Sequence, residues 1–442
     1  MDNKVENKST RVIIKNWAVQ STSHGIPKIA SSPYVIIKLM WAISFFASFG
    51  FCSFCLVNSF QEYFSYGVNT QMSVTTQSSL QFPTVTFCNK NPFKTNDKNF
   101  MFREVFVSIY NKMVNTSKHQ GFNDLDKITL GLDQVTKSVI YSSIENEQDR
   151  AILGYTIDEM LISCSYNLFT CDKNDFDFYW SNTYGNCYQF NTGKNSSLKM
   201  LTTGGRQNGF KLDLYAGVPK DELSFLKSNG IIIFIHNSSN IPIMTMEGIN
   251  LSTGFETEIL LSQVIYKRLA SPFDNCVEDF DSYLYKKTIK LNSIYRQKLC
   301  MQLCYQETLI QNCNCYEINS FKIPGSKPCT LTEITCVYDV ITKFFNGSNS
   351  QSSDCLKECP QECNIYSYNI KSFQSNFPTP YYADLIMNYG NNSLRKFSSI
   401  EEIKETSLSV NIYFEDLVTT LVEEQPNKTP TQLVSDIGGN LG

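Results

Sequence analysis

Histidine is scarce in this sequence: three residues in 442, His24, His119 and His236. So few imidazoles leave little for acid–base catalysis or a paired-histidine metal centre, and neither HExxH nor GxSxG occurs. An ectoenzyme is therefore disfavoured, and no metal or other cofactor is expected. Charge is thin as well. Charged residues make up 18 %, below the usual quarter. The net charge of −4 gives no pull toward nucleic acid. The glycine-rich Gly204-Gly205-Arg206-Gln207-Asn208-Gly209 fits neither GxGxxG nor a P-loop. Long apolar runs are absent too, with one exception.

That exception is residues 34–57, YVIIKLMWAISFFASFGFCSFCLV. From Leu39 to Val57 nineteen residues carry no charge and no Pro, and only Ser44, Ser48 and Ser53 interrupt them. At about 1.5 Å each they reach roughly 28 Å, close to the hydrocarbon thickness of a bilayer. A single segment crosses lipid only as a helix, because every backbone polar group must be satisfied internally. A buried core helix is seldom apolar all round. A cleaved leader is disfavoured because over thirty residues precede the run and no small-x-small site follows it. Residues 1–33 carry Lys4, Lys8, Arg11, Lys15 and Lys28 against Asp2 and Glu6, which predicts a cytoplasmic N-terminus and an extracellular chain after Val57.

Fourteen of sixteen cysteines follow the run, and an even number in an extracellular region reads as disulfides. Sequons begin at Asn115, Asn195, Asn237, Asn250, Asn346, Asn391 and Asn427. Cys300 and Cys304 are i, i+4 on a helical pattern, and Cys355, Cys359 and Cys363 repeat that spacing. Two antiparallel helices would then be laced as a ladder of Cys300–Cys359, Cys304–Cys355 and Cys276–Cys363. Cys313–Cys336 and Cys315–Cys329 would close the loop between them. Zinc is disfavoured by the spacing and by the lack of histidine. Cys52 and Cys55, in the apolar run, are expected to be packing residues rather than a redox pair.

Elsewhere, Thr84-Val85-Thr86-Phe87 alternates like a half-buried strand. Residues 97–165 read as mostly helical, with Phe102, Val105, Phe106, Ile109 and Met113 as an apolar stripe. Residues 164–230 read as short strands and turns, and Ile231–His236 as a buried strand with His236 as a structural histidine at its end. Tyr382–Tyr389 reads as helix and Leu408–Phe414 as strand. The leader before the apolar run reads as polar chain with a turn at His24-Gly25. Gly438-Gly439 permits close helix approach or a backbone break where a membrane segment starts.

Four of these stretches carry a resemblance. Phe82–Asn89 resembles the FPxVTxCN signature of the degenerin/epithelial sodium channel family, and Gly185–Asn191 its GxCYxFN element. Ser435–Gly442 is similar to its SDxGGxxG, and His24-Gly25 sits where it has a cytoplasmic His-Gly gating motif. The resemblance adds Cys88–Cys187 and Cys164–Cys171 to the disulfide set. It implies a multi-pass plasma-membrane sodium channel, built as a homo- or heterotrimer in the lipid bilayer. The implied fold is an α+β disulfide-rich ectodomain of palm, β-ball, finger, knuckle and thumb with transmembrane helices.

On that reading residues 1–33 are cytoplasmic, 34–57 the first membrane helix and 58–434 extracellular, with a finger at about 95–165 and a thumb at about 276–363. Residues 435–442 lead into a second helix, whose G-x-S selectivity stretch falls beyond Gly442. Tyr66 and Phe273 match the aromatic wrist contact. Ser435 matches the small-residue site where bulky side chains hold degenerin-type pores open.

Acid-gated relatives use a wrist histidine and clustered carboxylates. Tyr66-Gly67-Val68 and Asn237-Ser238-Ser239-Asn240 offer neither, which disfavours a proton stimulus. Val410–Glu415 and Glu423-Glu424-Gln425-Pro426 resemble the peptide-gated branch, so an extracellular RFamide-type peptide is the expected ligand and sodium the expected permeant ion. Acid gating is the alternative. A single-pass adhesion or receptor ectodomain is the alternative of another class.

Overall fold

The leader ahead of the apolar run is helical, not irregular. A computed structural model describes residues 3–23, 25–94, 104, 107–108, 111, 133, 136–141, 144, 146–194, 196–217, 228–292, 294–321, 323–330, 332–345, 351–389 and 396–441. In it α1 spans Asn3–Gln20 and α2 spans Ile26–Ser31. No Gly or Pro interrupts Asn3–Gln20, so nothing breaks the first helix once it starts. Gly25, at φ 93°, makes the corner between them in a conformation that L side chains rarely adopt.

The apolar run is α3, Val35–Phe64, longer than the expected 34–57. It continues because Asn58–Phe64 contains no breaker, and it stops at Tyr66, which takes φ 51° just before Gly67. No residue of α3 is buried; Ile36 is 76 % and Phe51 69 % exposed, so this surface needs an apolar surrounding. The last helix spans Pro430–Leu441, starting ahead of Ser435. Thr429 caps it, its hydroxyl accepting from Gln432 N–H at 3.2 Å while the Gln432 side-chain Oε1 accepts from Thr429 N–H at 2.8 Å. The helix runs unbroken through Gly438-Gly439. A Cβ on either glycine would meet nothing within 4 Å among the described residues, and the helix shows no backbone break there. These segments belong to one compact unit, Met1–Gln71 with Glu424–Gly442.

The second unit, Met72–Glu423, is built on two sheets. The larger runs β15 (Asn364–Asn376), β12 (Phe255–Lys267), β16 (Ser407–Pro426), β9 (Phe210–Tyr215), β4 (Leu161–Tyr166) and β5 (Phe169–Thr170), with β1 (Val68–Thr76) beside β16. β12 is parallel to β16 and antiparallel to β15, with its register slipping between Leu261 and Gln263. The smaller is antiparallel: β11 (Ile249–Leu251), β10 (Ile231–His236), β3 (Thr84–Asn89), β7 (Gly185–Phe190) and β6 (Phe176–Ser181). Phe190 of β7 stacks on Phe210 of β9 at 4.0 Å, and Phe82 meets both rings and Phe414 edge-on. All four are fully buried, each stabilising the sheet-to-sheet core by about 1.5–3 kcal/mol.

Two strand expectations need correction. β3 is buried along its whole length rather than half-buried, because it is the central strand of its sheet. Residues 161–165, expected to end a helical region, belong to β4, where Ile162 and Cys164 face the core and Ser163 and Ser165 alternate with them. The described parts of 97–165 ahead of it include the short helices α4 (Glu147–Arg150) and α5 (Ile157–Met160), and Phe102, Val105, Phe106, Ile109 and Met113 lie outside the described residues.

Four helices follow Cys276: α6 (Tyr283–Leu291), α7 (Gln297–Cys313), α8 (Ile334–Phe345) and α9 (Gln351–Glu358). Two more, α10 (Pro380–Tyr389) and α11 (Ile400–Thr406), precede β16. Disulfides join Cys300–Cys359, Cys304–Cys355, Cys276–Cys363, Cys313–Cys336 and Cys315–Cys329 among the α6–α9 segments, and Cys88–Cys187 and Cys164–Cys171 in the sheets. Cys52 and Cys55 remain thiols in α3.

Candidate functional site

Within the unit that contains α3, three charges meet near the end of α3 and the start of the last helix. The Lys428 ammonium lies 2.7 Å from Asp436 and 3.3 Å from Glu62, although its own side chain is only 7 % exposed. Hydrogen bonding to Asp436 is the largest cause raising the Lys428 pKa above the usual lysine value, which keeps the ammonium charged. Beside it Asn427 accepts from Asn69 Nδ2 at 2.8 Å and donates its backbone N–H to the Gly67 carbonyl at 2.8 Å. Ser435 is exposed on the same helix as Asp436. Residue typing alone missed this cluster; Glu62 just past the apolar run, and Lys428 and Asp436 ahead of Gly438-Gly439, were the available signal.

Gly25 sits against α3, with Trp41 and Phe45 within 4 Å of where a Cβ would be, while His24 lies outside the described residues. Tyr66 belongs to the unit that contains α3, its ring edge-on to Phe64, and Phe273 belongs to the second unit, Met72–Glu423. Of the sequon asparagines, Asn250 and Asn427 are exposed and Asn237 half-buried; Asn115, Asn195, Asn346 and Asn391 lie outside the described residues.

In the second unit, Met72–Glu423, two cavities flank the segment Ile241–Glu247. The smaller, about 260 Å³, is walled by Trp180, Met244, Leu299, Gln302, Ser320 and Phe321 among others, and among the described residues no Asp, Glu, His, Lys or Arg lines it. The larger, about 510 Å³, carries Glu247, Glu362, Arg296, Lys298 and His236, with Asn237 and Asn240 on its rim. Its carboxylates are already engaged: Glu247 with Arg296, and Glu362 accepting from Gln297 N–H at 3.0 Å.

Behind the smaller cavity lies a buried ion pair. Lys137 Nζ donates to Asp133 at 2.9 Å, to the Asn319 side chain at 3.0 Å and to the Thr183 carbonyl at 2.6 Å. Asn319 Nδ2 donates back to Asp133 at 3.0 Å.

His236, the one described histidine, bonds Thr86 Oγ1 at 2.8 Å through Nε2 and the Asn237 carbonyl at 2.9 Å through Nδ1. Burial lowers its pKa to about 4, so it is neutral at physiological pH. Among the described residues no group of three His, Cys, Asp or Glu side chains is arranged to hold a metal ion.

A family model described as "Amiloride-sensitive sodium channel" matches residues 18–442. The epithelial sodium channel subunit gamma of Neoceratodus forsteri is 26 % identical over 307 residues, 69 % of this chain and 46 % of that protein. Acid-sensing ion channel 1 of Gallus gallus is 28 % identical over 467 residues, covering 100 % of this chain and 83 % of that protein. The epithelial sodium channel subunit alpha of Cavia porcellus is 23 % identical, covering 98 % and 73 %. The chain thus spans less than half the length of the gamma subunit it matches. Against a solved proton-activated chloride channel the TM-score is 0.36 at 7 % identity over 91 % of each chain, a likeness from which nothing follows. With the family model covering all but the first seventeen residues, the chain belongs to the amiloride-sensitive sodium channel family.

Proposed function

We propose that the chain is a subunit of a trimeric, sodium-selective channel of the plasma membrane, opened by an extracellular RFamide-type peptide. Residues 1–33 lie in the cytoplasm, α3 crosses the membrane, residues 58–434 are extracellular with a finger at about 95–165 and a thumb at about 276–363, and residues 435–442 lead into the second pore helix. His24-Gly25 and Ser435 with Gly438-Gly439 act in gating, Tyr66 and Phe273 couple ectodomain to pore, and the seven sequon asparagines carry glycans. Two further subunits, sister copies or relatives, complete the pore.

The observation that supports a peptide over protons is electrical. Among the described residues the 260 Å³ cavity has no titratable carboxylate or histidine on its walls, and His236 is held neutral down to about pH 4. Acid gating is the second reading, favoured by the similarity to a protein named acid-sensing ion channel 1 along 100 % of this chain.

The test is to express the complete subunit in oocytes, alone and with sister subunits, and to apply RFamide peptides at neutral pH and acid without peptide. Amiloride-sensitive sodium current to peptide supports the proposal. Current to acid alone overturns the choice of stimulus.

A further inference from the structure

We infer that the 260 Å³ cavity between β6, the Ile241–Met244 segment and α7 is a receptor for one uncharged aromatic residue ending in a carboxamide. This rests on the peptide-gated reading above and assigns the peptide's amidated end to that cavity. At about 260 Å³ the space lies below the ~300–1,000 Å³ typical of whole small-molecule sites, so it fits an end group rather than a complete ligand. Trp180 and Phe321 supply aromatic wall, and Met244, Leu299, Ile243 and Leu291 supply aliphatic wall.

The polar groups are of one kind: neutral amides and hydroxyls. Ser320 is 7 % exposed, lines the cavity, and its hydroxyl has no hydrogen-bond partner among the described residues. A buried hydroxyl without a partner is destabilising, a cost that an incoming amide removes by bonding it. Gln302, also 7 % exposed, places a side-chain amide at the same wall and donates to Thr245 Oγ1 at 2.7 Å. The Asn182 amide crosses the rim, accepting from Trp180 Nε1 at 3.2 Å and donating to the Ser320 carbonyl at 3.2 Å.

The discrimination follows from what is missing. A free carboxylate entering this space would lose water and meet no available cation among the described residues, because the nearby Lys137 is already bonded to Asp133, Asn319 and Thr183. A carboxamide carries no such charge and has both a donor and an acceptor for Ser320 and Gln302. Position gives occupancy a mechanical consequence: one wall is the end of β6 and its turn, another is α7, and Asn319 ties the wall to the Asp133–Lys137 pair.

Two experiments test this on the complete channel. In oocytes, an amidated peptide is expected to activate at a concentration at least about tenfold lower than its free-acid twin, and Leu299→Trp, which fills the cavity, to abolish the response. Constitutive current from a bulky residue at Ser435, introduced in the same variant, reports that the filled channel still assembles. In parallel, N-acetyl-phenylalaninamide is titrated against purified full-length protein with tryptophan fluorescence as readout. A change that is lost in Trp180→Phe, and absent with N-acetyl-phenylalanine, places the amide in the cavity.

Equal potency of amide and acid, or an unchanged peptide response in an assembled Leu299→Trp channel, overturns the site. If the amide probe binds but no peptide gates the wild type, the site stands and the peptide-gated reading falls. If the probe shows no amide-selective signal while peptides do gate, the reading stands and the site falls.

Discussion

Lys428 and Asp436 are joined across the start of the last helix, ammonium to carboxylate at 2.7 Å, and the same ammonium reaches Glu62 near the end of α3 at 3.3 Å. One cation therefore holds two carboxylates, one on α3 and one on the last helix. Without it, those carboxylates repel at short range and the helix ends are driven apart.

Lys428→Met is thus expected to raise basal amiloride-sensitive current severalfold in the complete channel. Lys428→Arg keeps a cation in place and is expected to stay near wild type. The excess current should shrink at high ionic strength, since exposed carboxylates are screened. Equal basal currents in Lys428→Met and Lys428→Arg at low salt would remove the pair from gating.

Little of that cluster was legible beforehand, because Glu62 and Lys428 are far apart in sequence and only the fold joins them. α3 was legible in its apolar part, where composition alone suffices; its extension to Phe64 was not, since its end is set by the backbone at Tyr66 and Gly67 rather than by hydropathy. β3 misled for a different reason. Thr84 and Thr86 alternate with Val85 and look like a solvent face, but Thr84 Oγ1 donates to the Asn191 carbonyl at 2.8 Å and Thr86 Oγ1 bonds His236 and Gln189 at 2.8 and 3.0 Å. Polar side chains with partners are tolerated in a core, and alternation cannot reveal those partners. The cysteine spacing was more informative, because i, i+4 on a helix is a geometric statement: Cys300 and Cys304 share a face of α7 and are bonded to Cys359 and Cys355. The cavity assigned above to an amide was invisible in sequence, since its walls come from five separated segments.

Acid should loosen the β3–β10 region through His236. Its folded-state pKa of about 4 lies below the ordinary 6.5, so the unfolded chain binds the proton more readily. Stability from this group is complete above pH 6.5 and is lost as pH falls toward 4, by about 3 kcal/mol in all. Glu247 favours the charged form and Arg296 opposes it, but burial dominates both. Melting of the solubilised protein between pH 7 and pH 4 is expected to show this slope, and His236→Gln to flatten it. An unchanged slope in the variant would assign the acid sensitivity elsewhere.

The Asp133–Lys137 pair makes a distinctive pattern of single and double substitutions. Lys137 is 3 % and Asp133 9 % exposed, so removing either charge leaves the other buried without its counter-ion. Asp133→Asn or Lys137→Met alone is expected to destabilise by about 3–5 kcal/mol and to cut surface delivery. Asp133→Leu with Lys137→Met should recover much of that loss, because both desolvation costs disappear together. Additive losses in the thermal-melting cycle would show that the two side chains act independently.

Disulfide removal should scale with the span each bond closes. Cys88–Cys187 closes 99 residues and Cys164–Cys171 closes 7. Loop-closure entropy assigns about 4.7 kcal/mol to the long loop and about 2.4 kcal/mol to the short one. Packing adds to the contrast, since Cys88 and Cys187 are both fully buried with Ile232 and Phe234, whereas Cys164 is buried on β4 but Cys171, just past β5, is only half-buried. Replacing both members of each pair with Ala in the full chain should therefore lower the melting temperature and surface glycoprotein far more for the first pair than for the second. If the two double variants lose stability equally, local strand pairing rather than chain span governs what these bonds contribute.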